Sequence, residues 1–298
     1  MNLPLALALS ILVQGAGQDV EKRYPEMVLP HVISGQPDHF DPKRPVVNVR
    51  IGGEIVAGDI IFLDAEMKGE MAERGWANLR KELTRMCGPM ELKALPGGDL
   101  KVRSGSVLIR ADLNSPFTMT LGVMEVLASE KVRVHRIDFA VGDARAPKID
   151  PAIGLVPQSV PQHVLRYAIP LDVDEAVEEE GVDNGGTGAS SPRLPEFRIR
   201  VKSPGDRLEV DRASAKPWGG TGRFRFDMST RHVEYSVGGS KVLGSGAFQK
   251  LLQGMRSTIK GQRAKLDVGP GVTAAEALVL YDSLIRLGVK DVLFVKRP

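Results

Sequence analysis

Val107–Val141 reads VLIRADLNSPFTMTLGVMEVLASEKVRVHRIDFAV, and this stretch decides the fold. Ser106–Arg110 (SVLIR) has a strand's apolar, β-branched character. Asp112 is read as a turn-forming carboxylate. Asn114 and Ser115 are placed to cap a helix that Pro116 starts, since short polar side chains accept from free helical N–H groups and proline fits the first turn. Phe117, Leu121, Met124 and Leu127 then recur at helical spacing. Ile137–Val141 (IDFAV) closes the unit as a second strand.

Upstream, Val46–Ile51 (VVNVRI) is a strand and Gly52-Gly53 a hairpin turn. Glu54–Val56 begins the return, and Ile60–Leu63 is a further apolar run. Trp76, Leu79, Leu83 and Met86 share one face of a helix that Gly88 and Pro89 stop. The order is β-β-α-β-α-β.

The same order recurs in the second half. Phe197–Lys202 is a strand, and His232–Val242 is a hairpin with Gly238-Gly239 at its turn. Phe248, Leu251, Leu252 and Met255 stripe a helix, and Ala264–Val268 is a strand. A second stripe holds Ala274, Ala277, Leu278, Tyr281, Leu284 and Ile285, and Val289–Val295 closes the unit. The closing pair is two residues shorter here, with Leu284 to Val292 replacing Leu127 to Ile137. A repeat this long predicts tandem units. The expected fold class is α+β, as two tandem small β-β-α-β-α-β sandwiches. Each has two helices on one face of a roughly four-stranded sheet. The units are expected at 46–143 and 196–298. A Pro/Gly/acid-rich linker at 144–195 joins them, and few contacts should cross its 172–195 part. Within that linker, His163–Leu171 (HVLRYAIPL) is an apolar island suited to docking on a neighbour. Met124 and Tyr281 are expected in the two cores.

The chain has 298 residues, is 42% hydrophobic and 26% charged, and carries a net charge of +3. No stretch reaches the ~18 apolar residues of a full membrane span. The single cysteine, Cys87, excludes an internal disulfide, a Cys-cluster zinc site and an iron–sulfur cluster. Charge is uneven. Residues 192–298 hold 20 Lys/Arg against 10 Asp/Glu, whereas Asp172–Asp183 holds seven acids and no base. Leu3–Val13 (LPLALALSILV) followed by Gly15, Ala16 and Gly17 reads as a signal peptide or short anchor spanning residues 1–17.

Residues 107–141 resemble the periplasmic domain of the ExbD/TolR family of biopolymer-transport proteins. The resemblance rests on Ala111-Asp112 at a strand end, Pro116-Phe117 opening a helix, Val123-Met124 within it, and the strand Ile137–Val141. Leu29-Pro30 is similar to the segment after that family's membrane helix, and Val47–Val56 to its first strands. The second unit is similar through Asp267, a helical stripe, Gly288-Val289 and the closing strand, but lacks the proline–aromatic pair. The resemblance implies a module beside a proton channel, with proton-channel subunits, a periplasmic partner protein or peptidoglycan as partners. No acid precedes Asp19, so the family's proton-carrying aspartate has no counterpart here. The expected role is therefore a non-enzymatic periplasmic module associated with the inner membrane, with no cofactor. Dimerisation is expected because sheets of this kind leave edges to be covered.

No pair of histidines has metal-protease spacing, and the loop residues His31, Asp38, His39 and Asp41 are read as solvated, so no metal site is expected. Neither Trp218–Gly222 nor Gly185–Gly188 is a phosphate loop. Cys87 is read as an inert thiol, and no catalytic residues are expected. The remaining signal is basic. Arg198, Arg200 and Lys202 alternate along one strand, and Arg223 and Arg225 along another, so each set shares a face suited to a polyanion. Export argues for an anionic cell-wall polymer or acidic partner and against nucleic acid. A cytoplasmic nucleic-acid-binding protein is the alternative.

Overall fold

The computed structural model describes Pro25 and residues 27–39, 41–64, 66–95, 100–144, 162–169, 196–202, 234–237, 240–243 and 245–296. The fold is mixed α+β, with one large mixed sheet, a smaller mixed sheet and five helices among these residues. Residues 1–17 and 172–195, Arg223 and Arg225 lie outside the described residues.

The first sheet begins with the short strands β1 (His31–Val32) and β2 (Gln36–Pro37). It continues with β3 (Val46–Val49), β4 (Ile55–Ala57) and β5 (Ile60–Leu63). Helix α1 (Glu70–Cys87) follows, then β6 (Leu92–Ala94), β7 (Lys101–Ala111), helix α2 (Phe117–Ala128), β8 (Val134–Asp143) and β9 (His163–Ala168). Spatially the strands run β2-β9-β8-β7-β3-β4-β5, with β1 added to β8 and β6 to β7. The second sheet contains β10 (Glu196–Lys202), β11 (Glu234–Val237), β12 (Ser240–Leu243), β13 (Arg263–Val268) and β14 (Asp291–Lys296). Its order is β12-β11-β10-β13-β14. Helices α3 (Ser245–Gly254), α4 (Arg256–Ile259) and α5 (Ala274–Arg286) belong to this half.

The expected sheets of about four strands are too small in both halves. In the first, Ile60–Leu63 turns back to pair with β4. The apolar island His163–Ala168 pairs along β8, from Val141↔His163 to Arg136↔Ala168. Part of the segment read as linker is thus a strand, with Val164, Leu165 and Tyr167 buried. Pairing within the two sheets is parallel in design. β3 is antiparallel to β4 and parallel to β7, which is parallel to β8. β10 is antiparallel to β11 and parallel to β13, which is parallel to β14. The closing registers, Ile109↔Phe139 and Leu266↔Phe294, keep the two-residue difference read from sequence.

The larger departure concerns contacts between the halves. One hydrophobic cluster takes buried residues from both sheets. Helix α2 explains why, because Phe117, Leu121, Val123, Met124, Val126 and Leu127 are all buried. A helix apolar all round needs cover on every side. α2 touches β8 of its own sheet, β14 of the other, and both α1 and α5. At the meeting point Phe117 and Phe294 have ring centroids 4.9 Å apart. Tyr167 lies 5.3 Å from Phe294 and 5.4 Å from Tyr281, edge-on to the latter. α1 approaches α2 closely at Gly122, where an added Cβ would fall 2.3 Å from the Trp76 ring, so only glycine fits. The expected core residues Met124 and Tyr281 are buried.

The segment before β3 spans both halves. Met27 and Leu29 cover the outer face of the first sheet against Val46, Leu108, Ala140 and Val164. Val28 packs against Leu113 and Ala275. Further on, the backbone N–H groups of Ile33 and Ser34 donate to the buried Asp282 carboxylate of α5 at 3.2 and 2.8 Å. Arg286 Nε donates to the same carboxylate.

Two outcomes follow from the shared core. Protease cleavage between residues 172 and 195 leaves two fragments that co-elute in gel filtration under native conditions. Phe294→Ala removes ring contacts to both halves and costs about 3–5 kcal/mol. A single calorimetric transition, lowered in midpoint, checks it; two transitions would show independent halves.

Candidate functional site

Two turns at equivalent places in the chain build the joint. After β7, Asp112–Pro116 leads into α2; after β13, Gly269–Thr273 leads into α5. Pro116 and Thr273 form an antiparallel bridge. The Phe117 N–H donates to Val272 O at 2.8 Å, and the Ala274 N–H donates to Ser115 O at 3.0 Å. The Ala275 N–H donates to Leu113 O at 3.0 Å. The first N–H groups of a helix have no partner within it, so each helix is capped by the backbone of the other half. This replaces the expected cap. Asn114 and Ser115 make no side-chain cap on α2. Instead Ser115 Oγ donates to Asp112 O at 2.7 Å, and the Asn114 N–H donates to Asp112 Oδ1 at 3.0 Å. Helix α5 adds a capping box, in which Thr273 and Glu276 satisfy each other's backbone N–H groups.

Asp112 is a turn carboxylate, as expected, but a buried one. Burial pushes its pKa up to about 6, opposed by the backbone donors of Asn114 and Val28. Asp267, matched to it by sequence, stands elsewhere: it lies inside β13, one residue before the strand's end, opposite Arg200. Asp112 follows the end of β7.

Beside the joint, the edges of β9 and β14 border a groove of about 1140 Å³. Among the described residues, β9 is covered beyond its pairing with β8 only at His163 and Val164, by β2, and β14 pairs with β13 alone. Tyr281 from α5 reaches across, its Oη donating to Arg166 O at 2.9 Å. Burial raises the pKa of Tyr281. It also raises that of Tyr167, with the nearby Tyr281 adding to the effect. Both phenols therefore stay neutral. Burial lowers the pKa of His135, helped by the charge of Arg136.

Several charges line the groove. Asp138 lies 3.2 Å from Arg44 Nη1 and accepts from Ser106 Oγ at 2.6 Å. Arg44 also pairs with Asp38. Asp291 faces Arg263 at 3.9 Å. Arg136, Arg166 and Lys290 are exposed, and none has an acidic side-chain partner among the described residues. The lining thus holds four basic side chains, Arg136, Arg166, Arg263 and Lys290, against the three acids Asp41, Asp138 and Asp291, beside neutral aromatic rings.

The sequence-predicted basic positions sit apart from it. Positions 198, 200 and 202 alternate with the buried Ile199 along β10. Their register neighbours are Lys265 for Arg198, Asp267 for Arg200 and Glu234 for Lys202. Acidic positions therefore interrupt the basic row. Cys87 is buried, and burial raises its pKa to about 11 despite the charge of Arg103. Among the described residues no cluster of His, Cys, Asp and Glu could hold a metal. No described helix is long and apolar enough to cross a membrane.

No protein-family model matches the chain, and neither the curated proteins nor the solved structures contain a significant match to it.

Asp112 yields a pH prediction. Its folded-state pKa lies above the ordinary aspartate value of 3.8. Between pH 3.8 and about 6 the folded state therefore holds a proton that the unfolded state releases, and stability falls as pH rises. Asp112→Asn keeps the acceptor for Asn114 and removes the charge. The variant gains at most about 3 kcal/mol over wild type at neutral pH, and the gap closes below pH 4. Chemical denaturation at pH 4 and pH 7.5 measures it; an equal gap at both pH values would contradict the burial of an ionised Asp112.

Proposed function

We propose that the chain is a non-enzymatic, ExbD/TolR-like module of an energy-transducing transport or envelope-maintenance complex. It acts on the periplasmic side in association with the inner membrane, and binds a partner protein or the cell wall. The observation that carries this reading is the repeated strand pairing: an antiparallel hairpin whose first strand runs parallel to a third strand, itself parallel to a fourth. We read the two halves as tandem copies of one β-β-α-β-α-β unit with added edge strands. The second copy then takes the place that a second molecule takes when a single unit dimerises, and the reciprocal helix capping acts as an internal, isologous interface.

The excess of bases over 192–298 supports an anionic partner on the second half. Arg198, Arg200 and Lys202 are the proposed contact positions on β10, with Arg223 and Arg225 beyond the described residues. Electrostatic attachment of this kind weakens as salt shortens the Debye length from ~10 Å at 0.1 M to ~3 Å at 1 M.

The test is fractionation of cells carrying a C-terminally tagged chain, followed by sedimentation of the purified protein with peptidoglycan. Recovery in the envelope, with co-sedimentation that falls between 0.1 M and 1 M salt, is the expected result. Full-length protein in the cytoplasm that shifts nucleic acid in a gel would replace this reading with the nucleic-acid-binding alternative.

A further inference from the structure

The groove beside the joint combines two features. The first is edge backbone. Among the described residues, 165–168 of β9 and 291–296 of β14 each pair with a strand on one side only. Edge strands present N–H and C=O groups in a fixed repeat, of which Arg166 O is already taken by Tyr281 Oη. The second is charge. Arg136 and Arg166 come from the first half and Lys290 from the second, all three exposed and without an acidic side-chain partner among the described residues. Of the groove's acids, Asp138 shares Arg44 with Asp38 and stands opposite Arg166 across the β8–β9 pair, and Asp291 lies 3.9 Å from Arg263. Asp41 accepts the Lys43 N–H.

We propose that this groove binds an extended acidic peptide of a partner protein, which adds as a strand to the exposed edge and places its carboxylates on Arg136, Arg166 and Lys290. A peptide is favoured over a small anion because only a peptide returns hydrogen bonds to an edge strand at the strand repeat. The spread of the cations over β8, β9 and the turn before β14 also suits several carboxylates along a chain better than one compact anion. Because the cations come from both halves, the site exists only when the joint is closed. The proposal rests on the preceding reading only for the existence of a partner protein.

The test uses the full chain and a fluorescein-labelled ten-residue peptide of alternating Glu and Thr, followed by fluorescence anisotropy. The comparison peptide has Gln at each Glu position. The variant Arg136→Ala/Arg166→Ala/Lys290→Ala changes only exposed side chains, and its melting curve confirms that it folds. The expected result is about tenfold weaker binding by the variant, and a similar loss with the Gln peptide, as for a few exposed charge pairs acting together. Equal binding of both peptides, or unchanged binding by the variant, would overturn the proposal. So would a loss caused only by Arg198→Ala/Arg200→Ala/Lys202→Ala, which would put the site on β10. A third protein carries Asn or Gln at the seven acids of 172–183. Peptide binding seen only with this protein would assign the groove to the chain's own acids and overturn the partner assignment. A chain found in the cytoplasm that still binds the Glu peptide through the groove would refute the periplasmic reading alone. A chain in the envelope that ignores the peptide would refute the groove alone.

Discussion

The structure depends on a reciprocal backbone exchange between two helix starts. Phe117 gives its N–H to Val272, and Ala274 and Ala275 give theirs to Ser115 and Leu113. These donors are buried, so water is a poor substitute, and an unmade hydrogen bond there costs about 1–3 kcal/mol each. Opening the joint would break all three bonds at once. The exchange also fixes orientation, because an antiparallel bridge between Pro116 and Thr273 tolerates no sliding of one half over the other. The ring cluster of Phe117, Tyr167, Tyr281 and Phe294 then forms around a joint already in register.

From that constraint the groove follows. With α2 and α5 locked start to start, the edges of β9 and β14 come to border one cleft. Tyr281 spans it, its ring in the core and its hydroxyl on the Arg166 carbonyl. Tyrosine suits this position because its ring is apolar while its hydroxyl needs a partner when buried. The N-terminal segment reinforces the arrangement through the Asp282 carboxylate, which accepts two backbone N–H groups from Ile33 and Ser34. Binding at the groove and closure of the joint are therefore linked, since whatever bridges Arg136 or Arg166 to Lys290 also stabilises the closed form.

The elements themselves were largely legible. Gly52-Gly53 marked the first hairpin, and Pro116 marked the start of α2. Phe117, Leu121, Met124 and Leu127 mark its core face, and IDFAV marks β8. The shared core has a single sequence signal, carried by α2. Val123 and Val126 fall off the single stripe, and with the stripe they make α2 apolar all round. That pattern describes a helix between layers rather than one on a surface. The strand at 163–168 shows in the sequence only as an apolar island, because six residues among prolines and acids show too little periodicity to name a partner. The groove was not legible either. Arg136 and Arg166 are thirty positions apart and meet only through the β8–β9 register, which a sequence pattern does not contain. The match of Asp267 to Asp112 failed for a similar reason. Both acids sit near strand ends, and only the register with β10 shows that Asp267 belongs within its strand.

The central claim is that the two halves form one body through the paired helix starts. Native-state hydrogen exchange of the Phe117, Ala274 and Ala275 amides tests it most directly. If the joint opens only with global unfolding, these three amides exchange as slowly as those of the central strands β7 and β13. Rapid exchange at all three, with β7 and β13 still protected, would show the halves separating in the native state and would contradict the account.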